Sequence, residues 1–84
     1  MIQWGELIDR HVKGQTEIGL TWIRVDRTGT VTGVYLLYGR TTKLVPADGE
    51  TWTVDDGKIA AEIELETELK FRVDHPDFIS QIVS

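Results

Sequence analysis

The chain has 84 residues, no cysteine and a formal net charge of −5. This length fits one domain, residues 1–84, whose core is too small for a deep active-site cavity. The absence of cysteine excludes disulfide staples and thiolate zinc sites, and no segment has the pattern of a signal peptide or a membrane span. We therefore expect a soluble, cytoplasmic protein that acts through an exposed surface.

Charge is divided unevenly along the chain. Residues 1–46 carry six Lys or Arg against four Asp or Glu, a net of +2, whereas residues 47–84 carry three against ten, a net of −7. Nucleic-acid-binding domains usually have a basic excess, so this balance disfavours direct nucleic-acid binding by the surface as a whole. It permits a local basic patch and a separate acidic one.

The first predicted element is a short helix over residues 2–13. Apolar positions recur there at helical spacing: Trp4, Leu7, Ile8, His11 and Val12. Gly14 follows directly, where it would serve as a C-terminal cap. Gly5 works against the helix, since glycine inside a helix costs about 1 kcal/mol relative to alanine. The spacing still favours a helix.

Four turn signals follow, with β-prone segments between them. The turns contain Asp, Pro or Gly where each relieves backbone strain, at residues 26–29, 39–40, 46–49 and 55–58. The segments between them are rich in Thr, Val, Ile, Trp and Tyr. We predict strands over residues 17–26, 30–38, 41–45 and 50–54, joined as an antiparallel meander.

Residues 59–73 form the longest predicted strand. Apolar side chains occupy most odd positions from Ile59 to Val73, and charged side chains occupy most even positions. Glu, Ala and Leu favour a helix by propensity, but a helix would scatter these apolar residues around its surface, so the period of two predicts a strand. A strand of this length spans about 50 Å, so we expect it to curl or to bend near Thr67.

The tail is predicted to form a second short helix near Pro76, because proline is favoured at the first helical position. Together these elements predict an α+β fold that is mainly β: a five-stranded antiparallel meander with a short N-terminal and a short C-terminal helix. We expect the sheet to curl or to close into a small barrel whose shape resembles SH3-like barrels. That likeness concerns shape alone and implies no function.

Four glutamates share one face of the long predicted strand: Glu62, Glu64, Glu66 and Glu68. Alternate residues of a strand lie about 6.7 Å apart, so these carboxylates would form a linear acidic row about 20 Å long. Such a row can imitate nucleic-acid phosphates toward a basic partner. It can equally be a solvated face that protects a long strand from unwanted pairing.

A candidate basic patch lies near two successive turns: Arg24, Arg27, Arg40 and Lys43. Aromatic residues nearby, Tyr35, Tyr38 and Trp52, would give the patch the combination that small β barrels use to bind single-stranded nucleic acid. The aromatic residues can also be ordinary core or sheet residues. The patch can alternatively meet the acidic row of a second copy of the chain.

No motif indicates catalysis, a metal site or a cofactor. The two histidines, His11 and His75, lack partners at zinc-ligand spacing. The Asp-Gly pairs at residues 48–49 and 56–57 lack the spacing of a calcium loop. The sequence has no GxSxG turn and no glycine-rich phosphate loop. We therefore expect a protein that is not an enzyme, without catalytic residues or a cofactor.

Three functions remain open. The first is a non-enzymatic binding protein whose acidic face engages a basic protein partner, such as a nucleic-acid-binding protein, in the manner of an inhibitor or accessory factor from a phage or mobile element. The second is a structural or assembly protein that forms a homodimer or larger homo-oligomer. The third is a small β barrel that binds nucleic acid through the basic patch.

Overall fold

The computed structural model describes residues 1–74. Five strands precede one helix: β1 (Gln3–Ile8), β2 (His11–Thr16), β3 (Gly19–Val25), β4 (Val31–Leu37), β5 (Thr41–Leu44) and α1 (Val54–Asp74). Neighbouring strands are antiparallel, and their order in the sheet follows their order in the chain. The predicted architecture, a five-stranded antiparallel meander, is therefore confirmed, although only three of the five predicted strands are among its members. Within residues 1–74, no helix is long and apolar enough to cross a membrane.

The sheet is open and does not close into a barrel. β1 and β5 are its two edges and are not neighbours in the sheet. A barrel requires every strand to have two neighbours, so the predicted SH3-like closure is wrong. α1 packs on one side of the sheet, against β3 and β4. We call this side the inner face and the opposite side the outer face.

The predicted helix over residues 2–13 is also wrong, because this segment forms β1 and the start of β2. Asp9 and Arg10 join the two strands with φ angles of 51° and 64°, as a two-residue type I′ turn requires. Such turns usually contain Asn-Gly or Asp-Gly, so Asp-Arg gave no turn signal. A register shift between Trp4 and Leu7 breaks the alternation that would have marked β1 as a strand.

Gly14, the predicted helix cap, is instead buried within β2. A Cβ atom at this position would lie 2.6 Å from Cγ2 of Ile2 and 2.9 Å from Cε3 of Trp4. No real Cβ tolerates such distances, so glycine lets the side chains of the N-terminal segment close over β2.

Residues 59–73 lie within α1, so the long predicted strand is wrong. Burial in α1 follows helical spacing, with Gly57, Ala61 and Leu65 buried four residues apart. Ile59 and Ile63 occupy odd positions too, but each is 59% exposed. The alternation in the sequence therefore does not describe one buried face, and the strong helix propensity of Glu, Ala and Leu decides the structure.

A capping box begins α1. Asp56 N–H donates to Thr53 Oγ1 at 3.2 Å, and Thr53 N–H donates to Asp56 Oδ2 at 2.9 Å. The predicted turn at residues 55–58 is thus the first turn of the helix. The predicted strand at residues 50–54 is the approach to the cap, where Trp52 O accepts a hydrogen bond from Val31 N–H.

The remaining predicted strands are confirmed with shorter bounds: residues 17–26 contain β3, residues 30–38 contain β4, and residues 41–45 contain β5. The turn at residues 26–29 is confirmed by the hydrogen bond from Gly29 N–H to Asp26 O. The loop at Gly39 has three residues rather than two, because Leu37 pairs with Thr41. The predicted tail helix lies outside the described residues.

The core fills the space between α1 and the inner face. Its buried apolar side chains come from the sheet and the helix together: Ile2, Val12, Ile23, Val25, Val31, Val34, Leu36, Tyr38, Ala61 and Leu65. Gly57 lets the helix approach closely, since a Cβ there would lie 3.3 Å from methyl carbons of Ile23 and Val31. The outer face remains uncovered by any helix or strand in this part of the chain.

Candidate anion-binding site on the outer sheet face

Strand register arranges the outer face in rows of side chains. Val12, Ile23 and Val34 are buried on the inner face, so the residues next to them point outward. One outward row crosses four strands and consists of cations and aromatic residues in direct cross-strand register: Lys13, Trp22, Tyr35 and Lys43. The row runs across the middle of the sheet.

The two central rings of this row form a stack. Trp22 and Tyr35 have ring centroids 5.3 Å apart and planes inclined by 10°, an arrangement that aromatic pairs favour. Lys43 Nζ lies 5.4 Å from the centroid of the Tyr35 ring, within the range of a cation–π interaction. Both rings are half-buried, so part of each aromatic surface faces solvent from a fixed position.

Beside the stack lies a depression of about 320 Å³ lined by three cations. We call it the basic notch and define it by four side chains: Arg10, Arg24, Tyr35 and Lys43. Arg10 reaches the depression from the β1–β2 turn, where its carbonyl oxygen accepts a hydrogen bond from Val25 N–H at 2.9 Å. Cations from three separate segments of the chain therefore converge there.

Gly33 creates the room for this convergence. It stands opposite Arg24 on the neighbouring strand. A Cβ atom on Gly33 would lie 3.1 Å from Cε of Lys43 and 3.2 Å from Cε2 of Tyr35. The Lys43 stem and the Tyr35 ring thus pack over the backbone of β4, in the place that a side chain would otherwise occupy.

The notch has one carboxylate, that of Asp26. Its Oδ1 accepts hydrogen bonds from Thr28 Oγ1 at 2.6 Å, from Thr28 N–H at 2.8 Å and from Thr30 N–H at 3.1 Å. The hydroxyl of Thr28 and then its amide lower the pKa of Asp26; desolvation opposes them, and the Thr30 amide and the Arg10 charge lower the pKa further. Asp26 thus remains ionised and holds the β3–β4 turn in shape.

The three cations of the notch form no ion pair within residues 1–74. The ion pairs in this part of the chain join Met1 to Glu17 and Arg72 to Glu68. Three positive charges against one carboxylate give the notch a net positive charge. A surface of this kind attracts anions.

Only half of the predicted basic patch belongs to the notch. Arg24 and Lys43 lie in it, whereas Arg27 is exposed in the β3–β4 turn. Arg40 lies beyond the opposite end of β4 and lines a different depression together with Glu64. Of the aromatic residues predicted beside the patch, Tyr35 is in the notch, but Tyr38 is part of the core on the inner face.

The four glutamates of the predicted acidic row do not form a row. Successive even positions of a helix point in different directions, about 200° apart. Glu62 Oε1 accepts a hydrogen bond from Ile2 N–H at 3.1 Å, and Glu68 pairs with Arg72 at 3.2 Å. Glu64 is half-buried and Glu66 is exposed. Glu62 therefore ties α1 to the N-terminal segment, whereas the Glu68–Arg72 pair lies within α1, and a binding role for any of the four stays a prediction.

Sequence reasoning missed four residues of the outer face: Arg10, Lys13, Trp22 and Gly33. A signal for Trp22 existed in the predicted strand over residues 17–26, where Leu20, Trp22 and Arg24 alternate with buried residues; Lys13 had none, because it lies in the segment that the sequence predicts as a helix. Arg10 gave no signal, because the turn that carries it was read as helix. Among residues 1–74, no three His, Asp or Glu side chains are grouped so that they could hold a metal ion.

Comparison of the chain with models of protein families, with curated proteins and with solved structures finds no match in any of the three. The geometry of the outer face is therefore the basis on which a function can be assigned.

Proposed function

We propose that this chain is a non-enzymatic binding protein whose outer sheet face binds a polyanionic partner. The observation that carries the proposal is the basic notch, in which Arg10, Arg24 and Lys43 line one depression without ion-pair partners in the described part of the chain. The partner chemistry thus differs from the basic protein expected for the acidic row.

The unpaired charges favour an anion for an energetic reason. Like charges that converge repel each other, and the repulsion is relieved when an anion binds between them. A phosphate, sulfate or carboxylate group held by Arg24 and Lys43 would gain charge-assisted hydrogen bonds, which are about twice as strong as neutral ones. The notch is therefore more stable when it is occupied by an anion.

The shape of the face favours a chain-like partner over a small substrate. Five strands spaced about 4.8 Å apart give a surface roughly 20 Å wide. Small-molecule sites are usually concave and enclose most of their ligand, whereas this face presents a shallow notch on an open sheet. An extended polyanion can lie across the row of Lys13 to Lys43 and place one charged group in the notch.

The other two functions receive less support from the geometry. The acidic row depended on a strand, and α1 directs its glutamates to different sides. A homodimer through two outer faces would place Arg24 and Lys43 of one copy against the same cations of the other, which repel. The outer face of one copy and α1 of another have complementary charge. An association of this kind would raise the mass measured by light scattering.

Retention on immobilised heparin, a sulfated polyanion, tests the proposal. We compare the Arg24→Glu/Lys43→Glu double variant with the control Arg27→Glu/Lys70→Glu, whose changes lie at exposed positions outside the notch. Both double variants change the net charge equally. We expect the first to elute at much lower salt and the second to shift only slightly. Equal shifts in both, or no retention of the unmodified protein at low salt, would overturn the proposal.

Light scattering on the same samples separates binding from self-association. We expect a monomer mass that does not change between the unmodified protein and either double variant. A mass that increases with concentration, and falls to that of the monomer in Arg24→Glu/Lys43→Glu, would show that the anionic partner of the outer face is a second copy.

A further inference from the structure

We infer that the polyanion held by the outer face is a single-stranded nucleic acid, with a phosphate in the basic notch and bases on the Trp22–Tyr35 stack. This inference deepens the proposed function and depends on it. It adds a second chemical requirement, because the partner must offer flat aromatic groups as well as negative charge.

The Trp22–Tyr35 stack favours a nucleic acid over an acidic protein segment as the partner. Base–aromatic stacking contributes about 1–3 kcal/mol per base and tolerates any base. Trp22 and Tyr35 are already fixed against each other at 5.3 Å, so little side-chain freedom is lost when a base packs on them. Carboxylate side chains cannot make a comparable contact with these rings.

The spacing of the charge and the rings fits a nucleotide. Arg24 and Trp22 are alternate residues on the same face of β3, so they lie about 6.7 Å apart, and Lys43 Nζ lies 5.4 Å from the centroid of the Tyr35 ring. When Lys43 turns toward a phosphate in the notch, it leaves the Tyr35 ring over which it lies, and the base of that nucleotide or of the adjacent one can take its place. The neighbouring strand offers Trp22 at the same level.

Beyond the stack, the same face becomes apolar. Leu20 and Leu37 are cross-strand partners and are 48% and 40% exposed. They continue the surface of the stack away from the notch, where a second base can pack against them. A basic end, an aromatic middle and an apolar end thus follow one another along β3 and β4.

A double helix fits this face poorly. Its bases are stacked on each other inside the duplex, and its grooves admit an α-helix or a two-stranded ribbon rather than the flat side of a five-stranded sheet. Single strands leave their bases free to stack on protein rings. The acidic helix α1 lies on the inner side of the sheet, so its charge does not face the bound strand.

Fluorescence anisotropy with three labelled probes tests this inference. The probes are an oligothymidine of about twelve nucleotides, a duplex of the same length and a poly-glutamate peptide of the same length. We expect the oligothymidine to bind at least about tenfold more tightly than either of the others, and log Kd to change with log salt with a slope of about 2, as three phosphate contacts by a single strand imply.

Two substitutions separate the charge from the rings. Trp22→Leu keeps an apolar side chain and should weaken binding of the oligothymidine about tenfold, the loss of one stacked base, while binding of poly-glutamate stays the same. Lys43→Gln should weaken binding of every probe and lower the salt slope by about 0.7. Trp52→Phe, on the helix side of the molecule, is the control and should bind like the unmodified protein.

The outcomes distinguish the inference from the proposed function. If poly-glutamate or the duplex binds as tightly as the oligothymidine, or if Trp22→Leu loses nothing, the single-strand inference is overturned and the polyanion proposal survives. If no probe binds at low salt, both are overturned. Circular dichroism of each variant shows that a loss of binding does not come from unfolding.

Discussion

Gly33 shows how the absence of a side chain can create a site. Its neighbours on the outer face, Lys43 and Tyr35, pack over its backbone so closely that a Cβ atom would lie 3.1 Å from Lys43 and 3.2 Å from Tyr35, and one of them would have to shift by a few tenths of an ångström. Tyr35 is held by its stack with Trp22, so the flexible Lys43 side chain is the group that can move. Glycine in a strand is otherwise unfavourable by about 0.5–1 kcal/mol relative to alanine.

We expect Gly33→Ala to separate binding from stability. The backbone there accepts alanine, because Gly33 is not among the residues with positive φ, so the free energy of unfolding should change by less than about 1 kcal/mol. The new methyl group should displace the Lys43 side chain by a few tenths of an ångström and lower the affinity for oligothymidine by a small, measurable amount. Denaturant titration and anisotropy measure the two effects, with Thr41→Ala, an exposed outer-face change, as the control. Unchanged affinity in Gly33→Ala would show that the gap is not needed.

Tyr38 shows the cost of a polar group in a small core. The residue is 5% exposed, and its hydroxyl is buried without a hydrogen-bond partner within residues 1–74. Burial raises the pKa of Tyr38 to about 12, and the charges of Glu62, Glu64, Glu17 and Glu68 act in the same direction. The folded state therefore resists deprotonation of this phenol.

Tyr38→Phe should leave the free energy of unfolding unchanged or raise it by up to about 1 kcal/mol, because it removes a buried unpaired hydroxyl. The raised pKa also gives a pH dependence. The contribution of Tyr38 to stability should be constant below pH 10, the ordinary pKa, and fall between pH 10 and about 12, because the unfolded chain releases the proton first. Tyr38→Phe should lose this part of the alkaline decline. A clear loss of stability in Tyr38→Phe at neutral pH would mean that the hydroxyl has a partner.

At the scale of the elements, the helix α1 was the hardest to predict from sequence. The alternation of residues 59–73 satisfied the pattern of a strand, yet only every fourth residue from Gly57 to Leu65 is buried. A local pattern cannot reveal which apolar residues meet a core, because that depends on the partner surface. The sequence Thr53 to Asp56, followed by residues with high helix propensity, was the local signal that should have decided the assignment.

The strands β3, β4 and β5 were predictable because each is bounded by turn residues whose chemistry is local. Asp26 accepts hydrogen bonds from Thr28 and Thr30 in its own turn, which explains why the residue type indicates the turn. The β1–β2 hairpin was not predictable, since Asp9 and Arg10 adopt positive φ without glycine. Arg24 and Lys43 of the basic notch were predictable because they lie on predicted strands. Arg10 was not, because it lies in the β1–β2 turn, which gave no turn signal.

Thr53→Ala tests the capping box that begins α1. The change removes the Oγ1 acceptor of the Asp56 amide and should lower the free energy of unfolding by about 1 kcal/mol, with a range of about 0.5–2. Thr51→Ala, an exposed change two residues earlier, should have almost no effect. Thermal denaturation of both variants measures the difference. Equal stability of the two variants would contradict the role of Thr53 as the cap.

At the scale of the whole molecule, charge is sorted between two layers. The outer face carries Lys13 on β2, Arg24 on β3 and Lys43 on β5, whereas α1 contributes Asp55, Asp56 and the four glutamates on the other side of the sheet. The net charge of −5 does not show this division, because it sums a basic first half and an acidic second half of the chain. An anionic partner in the basic notch would therefore be separated by the sheet from the glutamates of α1.

The division makes the site of binding directly measurable. In a titration of ¹⁵N-labelled protein with oligothymidine, followed by NMR, we expect the amides around Arg24, Gly33 and Lys43 and the Trp22 indole signal to shift progressively. The amides of Ile63 and Glu66, on the exposed side of α1, should remain in place. Shifts confined to α1, or no shifts at low salt, would contradict binding of a polyanion by the outer sheet face.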